Sequence, residues 1–151
     1  MFKVSNQPKV MGVLNLTPDS FSDGGLFINK EDAIRHALNM VDEGADIIDI
    51  GAESTRPGAI PVGAEQELDR LMPVVSRLKE LSDIPISVDT SKPVVMQAAC
   101  EAGVEMINDI NALQAPGALE VVADSPVKLC LMHKQGEPTT MQSFPEYDDV
   151  V

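Results

Sequence analysis

Cysteine is scarce in this chain: Cys100 and Cys130 are the only two among 151 residues, and no CxxC spacing exists. That excludes a disulfide framework and a thiolate zinc site, and both residues read as small, buried apolar positions of a reducing compartment. Positive charge is short as well. Eleven Lys and Arg stand against 24 Asp and Glu, giving a formal net charge of −13 and a pI near 4.3. Such a field excludes nucleic acid and anionic membranes as partners, and any anionic ligand must be held by local cations, backbone N–H groups or a metal. No apolar run approaches the roughly 20 residues of a membrane span. The opening residues MFKVSNQPKV lack the apolar stretch of a secretion signal, so a cytoplasmic location is expected. A GxGxxG fingerprint is missing, and so is any Ser/His/Asp or Cys/His spacing that would support a protein nucleophile.

What remains is an ordinary globular composition, 44% hydrophobic and 23% charged, in a length that makes one domain with a real core. Five short apolar runs each lead into a polar residue. They are Val10–Leu14 into Asn15, Ile47–Ile48 into Asp49, Ile84–Val88 into Asp89, Val104–Ile107 into Asn108 and Val127–Met132 into His133. Helical patterns lie between them. Asn29 with Asp32 resembles a capping box ahead of the stripe Ala33, Ile34, Ala37, Leu38 and Val41, which Gly44 ends. Leu68, Leu71, Met72, Val75 and Leu78 form a second stripe, in which Pro73 predicts a kink or break. Ser91 is positioned to cap a third helix with Pro93 in its first turn, in which Val94, Val95, Ala98, Ala99 and Ala102 follow before Gly103 closes it. A short helix over 117–123 precedes the fifth run.

Strand and helix in alternation mean a parallel sheet. An open doubly wound sheet gathers its ligand at one switch point, usually beside a glycine-rich turn. A (β/α)8 TIM-type barrel instead collects residues from the C-terminal end of every strand. Polar residues follow all five runs here, so the barrel is the expected α/β architecture. A whole barrel takes about 250 residues and eight strands. Residues 1–151 are therefore read as one partial barrel domain with its first five strands, the C-terminal strands and helices missing.

Three groups of residues carry candidate chemistry. Asn15 to Gly25 mixes hydroxyls, two carboxylates, Phe21 and a terminal Gly-Gly, which fits either a lid with an apolar cover or a capped surface turn. Gly51 to Gly58 sets Arg56 beside Ser54 and Thr55. There the guanidinium can fork onto an anion or pair internally with Glu53 or Asp49. Asp49, Asp89 and Asn108 end neighbouring strands, where they can read the donor–acceptor edge of a flat heterocycle, bind a hard cation such as Mg²⁺, or cap the following helices. His36 falls on a polar helix face, and His133 near the rim reads as structural.

The motifs MGVLNLTPDSFSDGG (Met11–Gly25), DIGAESTRPGA (Asp49–Ala59), ISVDTSKP (Ile86–Pro93), INDI (Ile107–Ile110) and LMHKQG (Leu131–Gly136) resemble bacterial dihydropteroate synthases of the pterin-binding family, in that family's own order. The first two are long and irregular, hence specific. The resemblance implies a (β/α)8 barrel that condenses 6-hydroxymethyl-7,8-dihydropterin pyrophosphate with p-aminobenzoate in folate biosynthesis, with sulfonamides competing for the aminobenzoate place. By position, it makes Asn15 the ligand of a Mg²⁺ cofactor. Asp89 and Asn108 become readers of the pterin edge, with Met132 packing near that ring. Thr55 and Arg56 become contacts to the pyrophosphate and metal, and Pro57 and Phe21 walls of the aminobenzoate pocket. No residue is assigned as a general base. A homodimer is implied for the full-length protein.

Ala52 stands where the family usually has a second glycine, and Leu16 where valine is common. Family members also continue through three further strands that supply another aspartate, a lysine and an Arg-x-His segment to the substrates. The 151-residue chain alone is therefore expected to be inactive. Two other readings stay open: a methyltetrahydrofolate-corrinoid methyltransferase-type domain, which shares the pterin-reading Asp and Asn, and a non-enzymatic half-barrel binding module.

Overall fold

The structure is a computed structural model that describes residues 7–17, 30–53, 62–136, 141 and 145–149. Within them β1 (Met11–Asn15), α1 (Lys30–Asp42), β2 (Ile47–Gly51), α2 (Ala64–Leu81), β3 (Ile86–Asp89), α3 (Pro93–Glu101), β4 (Met106–Asp109), α4 (Ala118–Ala123) and β5 (Lys128–Leu131) alternate along the chain. The strands form one parallel sheet in the order β1-β2-β3-β4-β5. Each strand pairs with its sequence neighbour, so the sheet has no point of reversal of the kind that defines a doubly wound fold. Sequential parallel order is how a (β/α) barrel is built.

Parallel register sorts the strand residues into two faces, because side chains alternate along each strand. Leu14, Ile50, Val88 and Ile107 form one continuous row, and all four are fully buried. This face receives the helices: a Cβ added at Gly12 would lie 2.9 Å from Met40 Sδ of α1. Ala33, Ile34 and Ala37 of α1, Leu71, Val74, Val75 and Leu78 of α2, and Val95, Met96 and Ala99 of α3 complete the core. Each large side chain so buried contributes roughly 1.5–3 kcal/mol. The opposite face is more open, with Met11, Val13 and Asn15 of β1 exposed.

Five local expectations need correction. The second helix runs on through Pro73 from Ala64 to Leu81. Pro73 lies on the exposed side, where water can serve the Asp69 carbonyl that the missing N–H leaves behind. Val74 rather than Met72 joins the buried stripe. Lys92, not Ser91, holds the N-cap of α3, and Thr90 Oγ1 accepts the Lys92 N–H. Of the apolar residues named for α3, Val94 is exposed, and Met96, which was not among them, joins Val95 and Ala99 on the buried face. Cys130 is exposed rather than buried, because β5 is an end strand of the described sheet and all four of its residues are exposed. Gly44 ends α1 as expected, at φ +105°, while Asn29 lies outside the described residues. Among the described residues, no helix is long and apolar enough to cross a membrane.

Candidate functional site

Register places Asn15, Gly51, Asp89, Asn108 and Cys130 in a single row across the five strands. The row lies one residue beyond Leu14, Ile50, Val88 and Ile107, and so faces away from the helices. It also sits at the C-terminal ends of the strands, where parallel barrels gather their chemistry. Gly51 contributes no side chain. A Cβ there would lie 3.5 Å from Asp89 Oδ2 and 3.9 Å from Asn15 Oδ1. An amide oxygen and a carboxylate from two different strands therefore flank one open spot.

Asp49 is not a strand-end residue. The second strand continues through Ile50 and Gly51, because both stay paired on each side, with Leu14 and Asn15 and with Val88 and Asp89. Asp49 thus points the same way from two residues below the rim and is only 5% exposed. From there its Oδ2 accepts a hydrogen bond from Asn108 Nδ2 at 3.0 Å. An amide whose nitrogen is engaged below turns its carbonyl oxygen the other way. Asp49 is an orienting residue for Asn108. Its other oxygen, and Ser87 Oγ in the adjacent register position, are buried without a hydrogen-bond partner among the described residues.

The strand that carries Asn108 ends in Asp109, which is fully buried. Its carboxylate accepts the backbone N–H groups of Asn111 at 2.8 Å and Leu113 at 2.7 Å, tying down the turn that follows. The backbone of the third strand is fixed too, since the Thr90 N–H donates to the Asn108 carbonyl at 3.0 Å. Asp89 and Asn108 are thus held by rigid backbone on both sides.

Charge is unbalanced around Asp89. Burial first, then the charges of Asp49, Glu67, Asp109 and Glu53, push its carboxyl from 3.8 up to about 7. Such a group gains most from a ligand that brings N–H donors to both its oxygens.

Three residues outside the expected site stand next to it. Lys92 Nζ donates to Glu67 Oε2 at 2.6 Å and also to Glu53 Oε2. Burial opposes the charge on Lys92, yet the hydrogen bonds to the two carboxylates outweigh it and lift its pKa above the ordinary lysine value. Glu67 is fully buried. A signal for this cluster exists in the sequence: Glu67 falls in register with Leu71, Val74 and Leu78, an acid inside an apolar stripe. Lys92 is likewise an unusual charge for a helix N-terminus.

Met132 follows β5, its N–H donating to the Asp109 carbonyl at 3.1 Å. That continues the ladder by one step and sets Met132, half-buried, on the side of Cys130. His133 is exposed, with its ring 5.6 Å from that of Tyr147. Phe21, Thr55, Arg56 and Pro57 lie outside the described residues. The structure pairs Glu53 with Lys92 and Asp49 with Asn108, the two acids that had been open as partners for Arg56. Among the described residues no group of three His, Cys, Asp or Glu side chains is arranged to hold a metal ion. Asn15 Oδ1 is a hard oxygen at the mouth, beside the Asp89 carboxylate.

A model of the family described as "pterin binding enzyme" matches residues 11–151. The chain belongs to this family. It is 53% identical over 145 residues to the dihydropteroate synthase of Escherichia coli K12, covering 96% of this chain and 51% of the relative. Among solved structures, the Yersinia pestis dihydropteroate synthase with a sulfonamide drug complex superposes with a TM-score of 0.85 at 54% identity, over 94% of this chain and 52% of that one. The Burkholderia cenocepacia dihydropteroate synthase complexed with 7,8-dihydropteroate gives 0.81 at 48% identity, over 95% and 48%. The chain spans about half the length of the curated relatives it matches. The pterin-binding barrel expected from the motifs is thereby borne out, with five parallel strands of it present in this chain.

Proposed function

We propose that the protein carrying this sequence is a dihydropteroate synthase, which joins 6-hydroxymethyl-7,8-dihydropterin pyrophosphate to p-aminobenzoate and releases pyrophosphate. The observation that carries this reading is the row Asn15, Gly51, Asp89 and Asn108, which brings an amide oxygen, a bare glycine, a carboxylate and an oriented amide to one mouth. The names of the relatives, and the dihydropteroate in one of their structures, support it.

Asp89 accepts two adjacent N–H groups of the pterin edge, each a charged hydrogen bond worth about 1.5–3 kcal/mol. Asn108 meets the neighbouring ring positions with the carbonyl that Asp49 leaves facing the ligand. Met132 packs near the same ring. The carbon–oxygen bond to pyrophosphate breaks first, and the positive methylene left behind is conjugated with the pterin ring, which the negative Asp89 stabilises. The amine of p-aminobenzoate then forms the carbon–nitrogen bond and sheds a proton. A weakly basic arylamine attacking a cationic carbon requires no protein base.

Asn15 fits a Mg²⁺ ion of the kind that takes one or two protein oxygens and keeps its waters and phosphate ligands. When bound, such an ion neutralises charge on the pyrophosphate as it departs. Thr55 and Arg56 contact the pyrophosphate, and Phe21 and Pro57 wall the aminobenzoate. The same reading includes a homodimer and a cytoplasmic location, the latter in keeping with two free thiols. Because the relatives are about twice as long, the 151-residue polypeptide made by itself is expected to give no turnover.

Incubation of the complete protein with labelled p-aminobenzoate and the dihydropterin pyrophosphate tests the proposal. Labelled dihydropteroate with one pyrophosphate per product, and none when either substrate is omitted, is the expected result. Methyl transfer from methyltetrahydrofolate without incorporation would overturn it in favour of the corrinoid-type reading. Pterin binding without any turnover would favour a binding module.

A further inference from the structure

After β4 the chain turns sharply over Asn111 to Gln114, where the Gln114 N–H closes on the Asn111 carbonyl at 3.1 Å. The two central residues, Ala112 and Leu113, both have positive φ, +50° and +60°. Turns of that kind usually place Asn or Gly there, because a Cβ meets the neighbouring backbone. A left-handed Ala-Leu pair persists only where its surroundings over-determine it. Here Leu113 packs against the core. The fully buried Asp109 accepts the N–H groups of Asn111 at 2.8 Å and Leu113 at 2.7 Å, each with a separate oxygen.

We infer that Asp109 is a positioning residue for the ligand mouth: by holding this strained turn from the helix side of the sheet, it keeps the end of β4 extended and Asn108 in line with Asp89. This deepens the function proposed above and rests on it. Side chains alternate along the strand, so Asp109 faces the helices while Asn108 faces the mouth. The backbone of the same two residues carries the neighbouring strand ends. The Asn108 carbonyl accepts the Thr90 N–H at 3.0 Å, and the Asp109 carbonyl accepts both Met132 N–H at 3.1 Å and Ala112 N–H at 3.2 Å. Turn and ladder thus meet on one carbonyl, and a turn relaxing to negative φ would draw it away from β5. A carboxylate can serve two N–H groups with its two oxygens. An amide of the same shape has one acceptor oxygen and sets its NH₂ against the second donor.

Asp109→Asn in the complete protein separates positioning from simple electrostatics, because the two predict opposite signs. The Asp109 charge helps to hold the Asp89 carboxyl up. Its loss alone would favour ionised Asp89 and strengthen binding of a ligand that donates N–H groups to it. Loss of position weakens binding. At a pH of about 7, where Asp89 titrates, 6-hydroxymethyl-7,8-dihydropterin should bind about tenfold more weakly. Without ligand, the amides of Leu113, Thr90 and Met132 should exchange at least about fivefold faster. Glu105, whose N–H donates to the Ile86 carbonyl just before β4, should be unchanged. Ala112→Gly added to Asp109→Asn should restore at least about half of the lost protection, since glycine adopts positive φ freely. A purely electrostatic role gives no such rescue. Tighter binding, unaltered exchange at Thr90 and Met132, or no rescue by glycine would each overturn the inference. Should Glu105 also lose protection, Ala112→Val provides the second test with Asp109 in place. A β-branched residue raises the strain at positive φ, so selective acceleration at Leu113, Thr90 and Met132 is expected, and its absence overturns the inference. If the dihydropterin does not bind the unaltered protein, the functional reading fails, and exchange at Thr90 and Met132 still decides whether Asp109 holds the strand end.

Discussion

The Asn108 amide donates to a carboxylate oxygen of Asp49 at 3.0 Å, reaching past the strand between them to do so. That bond decides which way the amide faces. Without it, the carbonyl and amino groups of Asn108 can exchange places and present the wrong pattern to a ligand. Asp49→Ala should therefore weaken dihydropterin binding by about 5- to 30-fold, or roughly 1–2 kcal/mol. Calorimetric titration at a pH above 8 checks this with Asp89 ionised in both proteins. Unchanged affinity would show that Asp49 does not orient the site.

The proton on Asp89 gives a second prediction. The unfolded chain holds that proton only below about 3.8, whereas the folded protein holds it up to about 7. Between those values the folded state binds more protons, so this group's contribution to stability falls as pH rises from about 4 to about 7 and is level above. Asp89→Asn removes the titration. Melting curves across this range should show the native protein losing ground to Asp89→Asn as pH rises. A stability difference independent of pH would contradict the burial of an acidic group there. Under the proposed function, pterin binding should have the opposite trend: it would use the ionised carboxylate and so strengthen as pH rises through about 7.

Two glycines on opposite faces of the sheet should respond differently to the same change. Gly51→Ala adds a methyl at ordinary contact distance, 3.5 Å from Asp89, so stability should change by less than about 0.5 kcal/mol. The methyl fills the spot between Asn15 and Asp89, and ligand affinity should drop about tenfold or more. Gly12→Ala meets Met40 Sδ at 2.9 Å and Ile48 Cδ1 at 3.0 Å. It should cost about 1–3 kcal/mol in stability and leave affinity nearly untouched. Chemical unfolding and ligand titration on both variants separate the two roles. A reversed pattern would mean that the faces have been assigned the wrong way round.

The alternation of strands and helices was legible in residue pattern because each buried strand is a short apolar run bounded by turns. The choice of a barrel was legible too, from polar residues after every strand. Less accessible was how far a run extends. Ile50 and Gly51 continue the second strand beyond Asp49, and glycine is a poor strand signal even where neighbours on both sides hold it in the ladder. The same blindness hid the role of Gly51, whose value is an absent side chain between Asn15 and Asp89. Pro73 does not break its helix, because packing along Leu71, Val75 and Leu78 outweighs one lost backbone bond. The Lys92, Glu53 and Glu67 cluster joins residues 14 and 25 positions apart or more, and only the fold brings them together. Long-range ion pairs of that kind leave little trace in local pattern.

The account depends most on Asp89 reading the pterin from the shared mouth of the strands. Calorimetric titration of the complete protein and of Asp89→Asn with 6-hydroxymethyl-7,8-dihydropterin pyrophosphate tests it directly, at a pH above 8. Loss of one charged acceptor should weaken binding by about 30- to 100-fold, with p-aminobenzoate unable to restore it. Equal affinity in the two proteins would contradict the account.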